Sequence, residues 1–279
     1  MKRRTLSVIK FIAAIIISAI YFFPFVMVLM NSLKRKVNIV KYPLMLVDDK
    51  GPQWVNYKNA VEKMNFVQSF SNSLIITVFS VALLVIVSSM AAYFLVRHEK
   101  WKSSKMTFSL FLLSMAVPFQ VVMIPLISIY GGSLHMLNSR TTLIFMNIGF
   151  GVAMCIFMFH GFIKTSIPIS LEESAKIDGC TPFGIFFRIV FPLLKPIIST
   201  VVVLKALGFW NDFQLPDLVL TKKKLYTLPL AIRTFYGTFS NDYGNIMAGL
   251  ILSMLPLIIL YVFLQKYIIK GVVAGAVKS

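Results

Sequence analysis

Acid is scarce in this chain. Ten Asp and Glu stand against 28 Lys and Arg, and charged residues fill only 14% of its 279 positions, which leaves little from which to build a centre of paired carboxylates. Cysteine is scarcer still: Cys155 and Cys180 make no C-x-x-C pair and no disulfide framework. The three histidines, His98, His135 and His160, are far apart with no thiol or carboxylate at ligand spacing, so no metal centre is expected. No G-x-x-x-x-G-K-S/T segment occurs, and ATP binding through a P-loop is therefore not expected of this chain.

What the chain has in excess is apolar surface. It is 58% hydrophobic with a mean hydropathy of +0.82, a composition that belongs in a bilayer. Apolar runs over Phe11–Met30, Asn72–Val96, Met106–Tyr130, Thr141–Ile163, Ile197–Leu215 and Ile246–Ile269 each approach the ~20 residues that a spanning helix needs. The expectation is an all-α membrane protein with six transmembrane helices and no separate soluble domain in 1–279. The start, "MKRRTLSVIKFIAAIIISAIYFF", has a basic head, but its apolar run is too long for a cleaved signal, so it reads as a retained first helix. The formal charge of +18 is scattered among loops, which orients a membrane protein and makes no nucleic-acid surface. With both termini inside, the first outer segment, Asn31–Ser73, carries a turn cluster and then an amphipathic stretch over Tyr57–Phe70.

Three of the ten acids, Glu172, Glu173 and Asp178, gather in "IPISLEESAKIDGCTPFGIFFRIVFPLLKP", Ile167–Pro196. Ser170 and Glu173 have the spacing of a capping box, which predicts a helix start, and Glu172 and Lys176 stand four apart in the favourable order. Gly179 suits a left-handed helix stop, and Thr181 followed by Pro182 suits the start of a second helix. On that helix Phe183, Phe186, Phe187 and Val190 form one apolar stripe before Pro192 and Pro196 interrupt the chain. Such a stripe must meet lipid, neighbouring spans or a partner, and the residues alone leave open an ordinary loop whose amphipathic helix rests on the bilayer surface. A DNA-reading helix-turn-helix is excluded, because "FGIFFRIV" offers no base-reading side chains.

The stretch "EESAKIDGCTPFGIFFRIVFPLLKP" resembles the EAA loop of ABC importer permeases. Glu173, Ser174 and Ala175 occupy the E-A-A positions, Gly179 the glycine, Ile189 the isoleucine and Pro192 the proline; Ser174 and Phe191 depart mildly from the commonest residues. The segments "NYKNAV", "FSNSLIIT", "FWNDF", "YGNIMAGLILSMLP" and "LQKYIIKGVVAGAVKS" look like the carbohydrate-uptake branch, especially MalG-like permeases of maltose-type systems. The resemblance implies a type I ABC importer permease fold in a prokaryotic cytoplasmic membrane, with 167–196 as a cytoplasmic coupling loop and 271–279 as a cytoplasmic tail reaching toward the ATPase. It implies as partners a second, MalF-like permease, two ABC ATPases that bind ATP and Mg, and an extracellular or periplasmic sugar-binding protein. No cofactor is expected on this chain itself. Glu172, Glu173, Ser174, Ala175, Asp178, Gly179, Phe183, Phe186, Phe187, Ile189 and Pro192 become the expected ATPase-coupling residues.

Polar residues inside spans are functional candidates by default. Asn147, Lys205, Asn211 and Asp212 qualify, with Gln120 between the helix breaks expected at Pro118 and Pro125; each is open to a second reading as an interhelical hydrogen-bonding residue, and Trp210 reads either as a surface on which a sugar stacks or as an anchor at the membrane interface. The competing class, an ion-gradient-driven secondary transporter, calls for intramembrane acids or inverted repeats that the chain does not display. A membrane enzyme calls for a nucleophile–base pair or cofactor motif, and none is evident.

Overall fold

The computed structural model describes residues 2–237 and 241–276, and among these the one β-type pairing is an isolated bridge between Tyr236 and Asn241. The helices are α1 (Lys2–Ser32), α2 (Lys36–Lys41), α3 (Val55–Lys63), α4 (Phe66–Arg97), α5 (Lys102–Ser114), α6 (Phe119–Leu126), α7 (Arg140–Ser166), α8 (Ser170–Ile177), α9 (Pro182–Ile185), α10 (Phe191–Leu193), α11 (Lys195–Asn211), α12 (Gln214–Val219), α13 (Leu228–Ala231) and α14 (Tyr243–Ala276). Of the expected tail, 277–279 lie outside the described residues. The backbone of 271–276 continues α14.

Among the described residues, four helices are long and apolar enough to cross a membrane: α1 from Val8, α4, α7 and α14 over Tyr243–Val262. The count reaches six when each of two bent pairs is one span. In the first, Lys102–Ser114 and Phe119–Ser133 meet at 94°, with Pro118 as the extended cap of the second piece, the break that its fixed φ and absent N–H produce. In the second, Pro182–Leu193 and Lys195–Asn211 meet at 75°. The straight span expected over Ile197–Leu215 therefore ends at Asn211, and Leu215 sits in the separate helix α12. The expected interruption at Pro192 is also displaced. Residues 186–190 form a widened turn in which the Phe191 amide bonds Phe186 O, five residues back, so the chain stays helical through Pro192 and bends at Leu194.

The described chain forms two compact units. The first comprises Met1–Ser69 and Ala231–Pro256. The amphipathic stretch expected over Tyr57–Phe70 is split there, because Asn65 adopts φ 46° between α3 and α4. Asp48 ties the preceding loop: it accepts from the Arg35 amide (2.8 Å), Arg35 Nε (2.9 Å) and the Lys50 amide (3.1 Å), while Arg35 also reaches Asp49. Burial alone would raise the Asp48 carboxyl, but these amides and the guanidinium hold it well below the usual carboxylate range. Lys34 is fully buried and donates to Asn31 Oδ1 (3.0 Å), Tyr42 O (3.2 Å) and Pro43 O (3.1 Å); burial pushes its ammonium down, with Asp48 opposing.

The second unit comprises Phe70–Leu230 and Leu257–Ser279. Its main core packs Leu84, Ala92 and Leu95 of α4 and Ile156, Phe159 and Ile163 of α7 against Ala175, Phe186 and Val190 of the acidic stretch. The acidic stretch is thus part of the folded core.

Candidate functional site

The helix pair begins without the expected capping box. Ile169 is the cap residue, and its carbonyl accepts from the amides of Glu172 (2.9 Å) and Glu173 (3.1 Å). Ser170 is already helical, and its carbonyl accepts from Ser174 Oγ at 3.0 Å. Glu172 does not pair with Lys176 either. Its side chain turns inward, 8% exposed, where Tyr93 Oη donates to Oε2 at 2.6 Å and Arg97 Nε to Oε1 at 2.8 Å, while Arg97 Nη2 also reaches Ile167 O at 3.0 Å. A buried carboxylate must be paired, and a guanidinium at the end of α4 outcompetes a solvated lysine one turn away.

Gly179 stops α8 with φ +81°, and the Cys180 amide bonds Ala175 O at 3.0 Å, the left-handed arrangement for which glycine alone carries no steric penalty. Thr181 Oγ1 then accepts from the Gly184 amide at 3.2 Å with Pro182 in the first turn, as anticipated. The aromatic stripe is not one face. The widened turn advances the helix by an extra residue, so Ile185, Phe186 and Val190 turn into the core while Phe183 (67% exposed) and Phe187 (45%) face out. Phe186 lies 5.4 Å from the Tyr93 ring. The outward side therefore presents Glu173, Ser174, Asp178, Gly179, Phe183, Phe187 and Pro192 together with Ile177, which is 86% exposed. Ala175 is buried and Ile189 half-buried. Ile177 escaped the sequence reading because it sits off the aromatic stripe. Tyr93 and Arg97 escaped it because nothing in a single sequence couples the end of one apolar run to a distant glutamate.

The candidates inside the spans separate into three groups. Asn147 and Asp212 line one cavity of about 290 Å³ with Gln214, walled by Phe119, Phe150 and Phe209. Phe119 and Phe150 meet edge to face at 5.3 Å, and Asn147 Nδ2 donates to Ser80 Oγ at 3.1 Å. Asp212 Oδ1 accepts from the Leu215 amide at 3.4 Å. The other three lie apart: Gln120 is exposed, Asn211 donates back to Leu207 O at 3.0 Å, and Trp210 is buried with its ring 5.8 Å from that of Phe70. Lys205 lines a different cavity, of about 580 Å³, with Ser114, Tyr130 and apolar side chains. Both cavities combine apolar walls with few polar groups, the arrangement of small-molecule sites.

Residues 84–273 match the family described as the binding-protein-dependent transport system inner membrane component. The chain belongs to this family. It is 41% identical over 265 residues to the probable starch degradation products transport system permease protein AmyC of Thermoanaerobacterium thermosulfurigenes, covering 95% of this chain and 94% of that one. It is 36% identical to the melibiose/raffinose/stachyose import permease protein MelC of Bacillus subtilis, over 100% of this chain and 99% of that one. Among solved structures it resembles a bacterial ABC transporter involved in the import of the acidic polysaccharide alginate, with TM-score 0.77 and 18% identity, covering 96% of this chain and 98% of that one. The inner-membrane-component family consists of transport permeases and not enzymes, and the self-contained ion-gradient carrier considered above gives way to it. The chain is accordingly a multi-pass membrane permease with an all-helical importer fold.

Proposed function

We propose that this permease imports a carbohydrate, an oligosaccharide, handed to it by an extracellular or periplasmic binding protein, and that ATP hydrolysis in separate partner subunits drives the exchange between inward- and outward-facing states. The carbohydrate assignment is supported by the relatives named for starch degradation products and for melibiose, raffinose and stachyose. In this reading the termini and the 167–196 loop are cytoplasmic, a second, MalF-like permease completes the path, and two ABC ATPases hold ATP and Mg.

The observation that carries the coupling role is the two-sidedness of the loop. Its inner side is locked by Glu172, Ala175, Phe186 and Val190, whereas its outer side exposes Ile177 and Phe183 beside Glu173 and Asp178. An exposed pair of large apolar side chains flanked by acid is a docking face, apolar anchors within a polar rim. The ATPase groove is the occupant we assign to it. Glu172 and Phe186, expected as direct contacts, serve in this reading as the inner fastening of the loop. Asn147 and Asp212 provide polar groups to the sugar path between aromatic walls, and Lys205 lines a neighbouring part of that path.

The test is uptake into vesicles that contain this permease with its partner subunits. Labelled raffinose and a labelled starch digest are offered through the binding protein, with ATP inside. Import of at least one of them that needs both ATP and the ATPase supports the reading; import that persists without the ATPase and follows an ion gradient overturns it.

A further inference from the structure

Helix α4 holds the coupling loop at one end and the polar cavity further along. At its Arg97 end, the guanidinium and the Tyr93 hydroxyl close on the buried Glu172 carboxylate, and Arg97 also takes the Ile167 carbonyl where α7 gives way to the loop. The Arg97 guanidinium lies 5.8 Å from the Tyr93 ring centroid, and that ring packs on Phe186, so Tyr93 fastens both helical parts of the loop and Arg97 braces it. Ala92, Leu95 and Val96 complete the seat in one core with Ala175, Ile185 and Phe186. Farther along α4, Ser80 Oγ accepts from Asn147 Nδ2, and Asn147 lines the cavity with Asp212. At 1.5 Å per residue, Ser80 and Arg97 are about 25 Å apart along one uninterrupted helix.

We infer that Arg97 and Tyr93 are positioning residues for transport: they fasten the loop to α4 so that a displacement of the loop moves α4 as a rod and reaches the Ser80–Asn147 contact at the cavity. The inference rests on the importer reading and adds the intramolecular route by which ATPase movement is passed on. A carboxylate clamped by a guanidinium and a phenol in the core cannot slide to a new partner without leaving a buried charge unpaired. The α8–α4 junction is therefore the stiff part of the loop, and a displacement imposed on the exposed Ile177–Phe183 side is passed through it to α4. An ordinary loop anchor would also hold the fold, but it would not need the charge pair in order to keep ATP use tied to uptake.

The experiment measures sugar imported per ATP hydrolysed, in vesicles holding the complete assembly, for the wild type, Arg97→Gln, Tyr93→Phe and the exchanged pair Arg97→Glu with Glu172→Arg. The expected result is hydrolysis within about twofold of the wild type in every variant that assembles. Import per ATP should fall at least tenfold in Arg97→Gln, fall several-fold in Tyr93→Phe and return in large part in the exchanged pair. Tyr93→Phe removes one hydroxyl and keeps the ring on Phe186, so it remains informative if Arg97→Gln does not assemble. Unchanged import per ATP in Tyr93→Phe and in any assembled Arg97→Gln would overturn the inference while leaving the importer reading standing. Absence of ATP-dependent import by the wild type would overturn both.

Discussion

Asn72, fully buried near the start of α4, reaches across 154 residues of sequence to donate its amide to Tyr226 O at 2.9 Å, and the same Nδ2 meets Lys224 O at 3.0 Å. One side chain thereby satisfies two carbonyls of the segment that follows α12. Beside it the Leu228 amide donates to Ser73 Oγ at 2.8 Å. Leaving buried acceptors without a donor costs roughly 1–3 kcal/mol. Asn72→Ala should therefore lower the thermal unfolding midpoint of the purified permease, and Asn72→Asp should not restore it, because a carboxylate cannot donate.

Gly179 has open space around the position of a Cβ, so crowding plays no part in its requirement; only its φ of +81° does. A branched residue in that region pays about 1–2 kcal/mol, and asparagine pays least among residues with a side chain. Gly179→Val is expected to abolish ATP-dependent uptake with the protein still in the membrane, and Gly179→Asn to keep most of it. Uptake assays on membranes with matched permease content check the order.

Asp48 supplies a pH signature. Its carboxyl is held below the ordinary carboxylate range in the folded chain, so its contribution is present above the unfolded value of about 4 and is lost as pH falls toward the folded value. Asp48→Asn should lower the unfolding temperature at pH 7, and the difference from the wild type should shrink below about pH 4. Thermal unfolding in detergent, measured from pH 7 down to 3, checks this.

The paired cavity residues give a transport prediction. Asp212→Ala or Asn147→Ala should raise the sugar concentration for half-maximal uptake several-fold and leave basal ATP hydrolysis unchanged. Gln120→Ala, at an exposed position, should leave uptake within about twofold of the wild type. Concentration-dependent uptake into vesicles separates the three.

Much of this was legible in the chain. Apolar length alone placed the four unbroken spans, and Gly179, Thr181 and Pro182 carried the turn between the loop helices, because these signals are local and concern backbone conformation. The errors arose where tertiary contacts set the outcome. Glu172 has the spacing to pair with Lys176, but a guanidinium from a helix distant in sequence takes it into the core. The aromatic stripe followed a 3.6-residue period that the widened turn at 186–190 breaks. Of the path candidates, Asn147 and Asp212 meet because α7 and the 211–215 corner are brought together in three dimensions, and no spacing in the sequence records that.

The central claim is that the outward side of the 167–196 loop transmits the work of a separate ATPase. It is tested most directly by measuring sugar uptake and ATP hydrolysis side by side in the reconstituted assembly, for the wild type and for Glu173→Lys. Glu173 is exposed and bears none of the core contacts, so the substitution reverses one charge on the docking face and leaves the fastening to Arg97 in place. The account predicts that uptake falls at least tenfold while the permease remains folded in the membrane and ATP hydrolysis no longer responds to the sugar-loaded binding protein. Normal uptake by Glu173→Lys, with hydrolysis stimulated as in the wild type, would contradict it.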